Sequence, residues 1–159
     1  MKSGAEIDKG LLQLRIIIGA MMGGIVIFGV AATAMGMNAE FDPDQTKMFL
    51  LALAGLCVME LPAYFVVRRV LMGKIQSEYQ QSRRSEDPSV ALLAQMTTLT
   101  IIGGAMAEGV SLFALVIVLL TGARVALIVP GLGLIVLSLL FPTRYRLSEF
   151  VANVTGRRW

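Results

Sequence analysis

Apolar residues fall into four runs along the chain, residues 11–35, 48–67, 98–120 and 125–141, with the charged residues crowded into the gaps between them. A helix needs about 17–25 residues to cross a hydrocarbon core about 30 Å thick. The pattern therefore predicts four membrane-spanning helices. The fourth run is the shortest and holds Pro130, Gly131 and Gly133, helix breakers that a membrane tolerates where neighbouring helices satisfy the freed backbone groups. Pro62 lies inside the second run and predicts a kink. Helical character continues beyond that run to about Gln81, and Asp87 followed by Pro88 reads as the cap and first position of the third helix. Beyond Pro142, Leu147, Phe150, Val151 and Val154 recur at helical spacing beside Arg144, Arg157, Arg158 and Trp159. That predicts a short interfacial helix lying on the headgroups.

The loops set the expected orientation. The first link, residues 38–47, carries Glu40, Asp42 and Asp44 against Lys47, and the third carries only Arg124. The N-terminus, the long middle loop and the tail hold 12 of the 14 basic residues, so the positive-inside rule puts both termini and the middle loop in the cytoplasm. This topology accounts for the pI near 9.4 without a nucleic-acid partner. Composition agrees: 56% of the 159 residues are hydrophobic and 16% are charged, against about 25% charged in soluble domains, and mean hydropathy is +0.74. The apolar run behind the N-terminus lacks a small-residue cleavage site before Asn38, so an uncleaved first helix is expected rather than a signal peptide. With no histidine and one cysteine, Cys57, an internal disulfide and a Cys/His zinc site are both excluded.

The first and third runs resemble each other. Residues 14–28 and 99–113 match at a constant offset of 85, with eight identities in fifteen positions: Leu14/Leu99, Ile16/Ile101, Ile17/Ile102, Gly19/Gly104, Ala20/Ala105, Met21/Met106, Gly24/Gly109 and Phe28/Phe113. The expected fold is all-α, a single transmembrane domain in which two hairpins make a four-helix bundle. The hairpins would be parallel repeats, residues 11–81 and 88–141, about an axis along the membrane normal, followed by a cytoplasmic tail, 142–159.

Subtracting the charges that belong to loops leaves two acids inside apolar runs, Glu60 and Glu108. A charge at the centre of a membrane helix costs roughly 2.5–3.5 kcal/mol on insertion scales and usually faces protein or water. Both acids are therefore candidates for holding a proton or a cation. Thr97, Gly104, Glu108 and Ser111 share one stripe of the third helix, flanked by Ala105 and Gly109, and small residues of this kind let helices approach closely. Gly19, Gly23 and Gly24 form the matching small face of the first helix, where Gly23 stands opposite Glu108 in the alignment and is expected to leave room for it. Arg15 lies a turn inside the first run. Two arrangements are open: an ion pair with Glu60 or Glu108, or snorkelling to the cytoplasmic interface.

Residues 104–117, with Glu108 following small residues and preceding an apolar and aromatic run, resemble the carboxylate helix of rotary-ATPase proteolipid (c-ring) subunits. The resemblance implies that Glu108 exchanges a proton or sodium ion. It covers about fifteen residues, and it departs from the family in placing the acid in the third helix and in the long polar middle loop.

The remaining motifs read as structural. Met35 and Met37 suit gap-filling better than soft-metal binding, and Glu40, Asp42 and Asp44 suit a solvated turn better than a calcium site. Asn153-Val-Thr155 matches a glycosylation sequon on the wrong side of the membrane for that machinery. No cofactor, metal or enzyme activity is expected. The leading expectation is an accessory or structural subunit of a larger membrane assembly, whose partners are the bilayer and either further copies or other membrane subunits. The alternative is a proton- or cation-coupled transporter or channel unit.

Overall fold

The computed structural model describes residues 2–36, 42–81 and 88–155. The expected cap Asp87 lies outside the described residues, as do Met37, Glu40, Arg83, Arg84, Arg157, Arg158 and Trp159. Every described element is a helix: α1 (Lys2–Gly36), α2 (Pro43–Gln81), α3 (Pro88–Thr121), a 3₁₀ turn (Arg124–Leu127), α4 (Ile128–Leu139) and α5 (Arg144–Thr155). The first three are long and apolar enough to cross a membrane. At 1.5 Å per residue they reach about 50–58 Å, well beyond a hydrocarbon core of about 30 Å. The fourth run gives the 3₁₀ turn and the 12-residue α4, continuous over residues 124–139, and the chain then bends by 74° into residues 144–154.

Local chemistry explains the boundaries. The Asp42 carboxylate accepts the Asp44 N–H at 3.2 Å, and Pro43 takes the first helical position, where its missing N–H costs nothing. Helix α2 thus begins five residues before its apolar run, and it continues through Pro62. Thr143 caps α5, its hydroxyl accepting the Arg146 N–H at 3.2 Å. Helix α3 stops at Gly122, whose φ of 65° is the left-handed conformation of a helix C-cap, with its N–H donated to the Val118 carbonyl at 2.9 Å. A β-carbon is strained there. Gly122→Ala should therefore lower the unfolding free energy in mixed micelles by about 1 kcal/mol, with Gly122→Asn nearer neutral; equal stability of the alanine variant would contradict the assignment.

Helix α3 is the hub, packing on every other element, and 44% of its most apolar stretch is buried against 6% for α2. Helices α1 and α3 lie parallel. Close approaches join Gly10 to Leu93, Gly24 to Glu108, Gly29 to Leu115 and Gly36 to Val118, separations of 82 to 86 residues. Helix α2 runs antiparallel to α3, with Tyr64 against Gly103 and Leu53 and Cys57 packed with the Val110–Ala114 region. Helix α4 also runs antiparallel to α3, with Gly133 against Ser111 and Leu137 against Gly104.

Three apolar clusters follow from this arrangement. One joins α1, α3 and α4 through Leu14, Ile18, Ile25, Leu115 and Leu137. A second joins α2, α3 and the 3₁₀ turn through Leu53, Val110, Ala114, Ile117 and Ala126. The third gathers the ends of α1, α2 and α3 with α5: Leu11, Ile75, Leu92, Leu93, Met96, Leu147, Val151 and Val154. This corrects the expectation for the tail. The apolar stripe of α5 is real, but it packs on the ends of α1, α2 and α3 rather than resting on lipid headgroups. Its N-terminus is tied to α1 by a forked ion pair in which the Arg144 guanidinium donates to both oxygens of Asp8, its Nε at 3.0 Å. Both partners are exposed, so the pair contributes no more than about 1 kcal/mol. It does place the start of α1 and the start of α5 at one end of the molecule.

Candidate functional site

Glu108 projects from α3 toward α1 and is partly buried. Its Oε1 lies 3.5 Å from where a β-carbon on Gly24 would stand, while nothing lies within 4 Å of that position on Gly23. The space opposite the carboxyl is therefore provided by Gly24. Consecutive residues on a helix point about 100° apart, so only one of the two glycines faces α3. The aligned pair Gly23/Glu108 is related by the 85-residue offset, whereas the physical neighbour is one residue on.

The other small residues divide between packed and open positions. Gly104 is buried: a β-carbon there would meet Met21 Sδ at 3.1 Å, Ile18 Cδ1 at 3.2 Å and Leu137 Cδ2 at 3.4 Å, so its bareness lets α1 and α4 close on α3 together. Ser111 is fully buried, donates to the Ala107 carbonyl at 2.6 Å, and abuts Gly133 of α4, where a β-carbon would overlap its Oγ. Gly19 and Gly109 are exposed with open space around them. Thr97 is half-buried and returns its hydroxyl to the Leu93 carbonyl at 2.8 Å.

Glu60 lies on the stripe of α2 that faces α3, with Leu53, Cys57 and Tyr64, all buried or half-buried. Because Tyr64 meets Gly103 and Cys57 packs near Val110, Glu60 falls at the level of residues 103–110 of α3. The two carboxyls thus lie at a similar depth, Glu108 on the side of α3 toward α1 and Glu60 on α2, which packs against α3. Neither makes a hydrogen bond or ion pair among the described residues. Arg15 is engaged elsewhere. Its Nε donates to the Pro142 carbonyl at 3.1 Å, which holds α1 to the chain between α4 and α5.

The acidic turn has a structural use, since Asp42 caps α2 and Asp44 pairs with Lys47 at 3.0 Å. No group of three His, Cys, Asp or Glu residues that could hold a metal occurs among the described residues. Two contacts went unread in the sequence: the Asp8–Arg144 pair, 136 residues apart, and the Gly133–Ser111 approach. Gly133 carried a signal, because a glycine in a membrane run marks close approach as readily as a break. No family model, curated protein or solved structure matches the chain.

Proposed function

We propose that this chain is a multi-pass inner-membrane protein, both termini cytoplasmic, acting as an accessory or structural subunit of a larger membrane assembly. The observation that carries the reading is the bareness of α2. Only a narrow stripe packs on α3, while Met48, Leu51, Val58, Met59, Leu61, Phe65, Val66 and Val70 remain exposed. The half-buried Glu60 on the edge of that surface has no partner within the described chain. In hydrocarbon a polar side chain gains from a hydrogen-bonding helix supplied by another subunit or a second copy. The reading includes no catalysis.

The same proposal takes α4 as a short fourth crossing, completing a bundle of two hairpins. With the 3₁₀ turn it spans about 26 Å, close to the hydrocarbon thickness, and the Asp8–Arg144 pair returns the chain to the end where α1 starts. It also takes the halves as parallel repeats. In support, the 85-residue offset of the sequence match falls within the 82-to-86-residue separations of the residues that touch between α1 and α3.

Extraction in a mild detergent should yield a species well above monomer mass containing fixed companions or further copies; a lone monomer would remove the reading. The second reading, coupled proton or cation movement, draws on the two carboxyls at one depth. If it holds, ion flux into liposomes should fall at least about tenfold in Glu108→Gln, and flux unchanged by that substitution would end it.

A further inference from the structure

A pocket of about 320 Å³ opens where α2, α3, the end of α4 and α5 converge. Its lining combines two cations, Arg68 and Arg146, with Glu149 and the Tyr64 ring, over an apolar wall that includes Leu99 and Leu140. Neither arginine side chain makes a hydrogen bond or ion pair among the described residues, and Tyr64 likewise has none. Two guanidiniums from different helices line this one cavity, and the fork geometry of arginine suits phosphate oxygens.

Position narrows the ligand. Arg68 is the first charged residue after the apolar run of α2, and α5 begins just beyond the last apolar residues of α4. The pocket therefore sits at headgroup level, polar on one side and apolar on the other. Its volume, at the low end of the range of about 300–1,000 Å³ for small-molecule sites, accommodates a headgroup and glycerol but not acyl chains, which would continue along the exposed flanks at Phe65 and Leu139. The charges of Arg68, Arg146 and Glu149 sum to one positive, the complement of a single phosphodiester. Glu149 can accept hydrogen bonds from headgroup hydroxyls.

We propose that this pocket binds the phosphodiester headgroup of an anionic, hydroxyl-bearing glycerophospholipid, with Arg68 and Arg146 as the phosphate ligands. The site needs only the bilayer setting of the protein and is independent of its place in an assembly.

Native mass spectrometry of the full chain, titrated with dioleoyl phosphatidylglycerol or dioleoyl phosphatidylcholine, tests the assignment. Wild type should bind phosphatidylglycerol at least about tenfold more tightly. R68Q/R146Q should lose that preference, while R69Q, which removes a neighbouring charge that does not line the pocket, should keep it. Both pocket arginines are exposed and make no hydrogen bond or ion pair among the described residues, so the double variant is expected to fold, and an unchanged circular dichroism melt would verify this. A preference surviving in the folded double variant, or lost equally in R69Q, overturns the site. Full displacement of the lipid by equimolar inorganic phosphate overturns the lipid as its ligand.

Discussion

Gly133→Ala should lower the unfolding free energy in mixed micelles by about 2–3 kcal/mol, at the upper end of what one inserted methyl costs in a packed interior. The new carbon would land on Ser111 Oγ, with the Ala107 carbonyl and Ser111 Cβ both 3.3 Å away. The serine has nowhere to go. It is fully buried and its hydroxyl is held by Ala107 at 2.6 Å. The strain is expected to appear as separation of α4 from α3, because α4 has only 12 residues and depends on this seam. Ser111→Ala alone removes a bond made within its own helix and should cost less than about 1 kcal/mol. The double variant should recover more than half of the loss, which a double-mutant cycle reads directly. A double variant as unstable as Gly133→Ala would place the damage somewhere other than this contact.

That seam illustrates what the sequence could and could not convey. Ser111 belongs to a stripe whose spacing is visible in the chain, and small residues at that spacing mark a helix-packing face without naming the partner. Gly133 signals either a break or a close approach by its residue type alone, and which of the two it makes depends on the helix that meets it. The same division runs through the fold. Apolar runs delimit α1, α2 and α3 because bilayer crossing is a demand on composition. The starts of α1 and α2 lie outside those runs, and for α2 the reason is capping by Asp42 and Pro43, which extends the helix without adding apolar residues. Glu60 and Glu108 stand out as isolated acids from composition alone. That they share a depth depends on the register of α2 and of α3, and that Gly24 rather than Gly23 faces Glu108 depends on a rotation of one residue. Arg15 was legible as a cation near the interface, but its partner is a backbone carbonyl, a group every residue carries and no sequence pattern marks.

Leu147→Asp should release α5 from the helices it packs against. Leu147 is 6% exposed among Leu11, Leu92, Leu93 and Met96, and a carboxylate buried there without a partner incurs a penalty of several kcal/mol. A 12-residue helix is marginal on its own, so the Thr143 cap and the exposed Asp8–Arg144 pair cannot hold it in place. Amide hydrogen exchange over residues 144–154 should rise at least about a hundredfold, with a parallel rise near residues 92–96, where the departing helix leaves α3 uncovered. That second rise decides between the two placements of the stripe. Were the stripe resting on headgroups, the substitution would weaken only the tail's hold on lipid and leave α3 as protected as before. Tyr145→Asp, at a position 75% exposed on the same helix, controls for the added charge and should leave both regions unchanged. Because α5 supplies Arg146 and Glu149 to the pocket beside α2, its release should also abolish the phosphatidylglycerol preference, joining a packing contact to the binding site it builds.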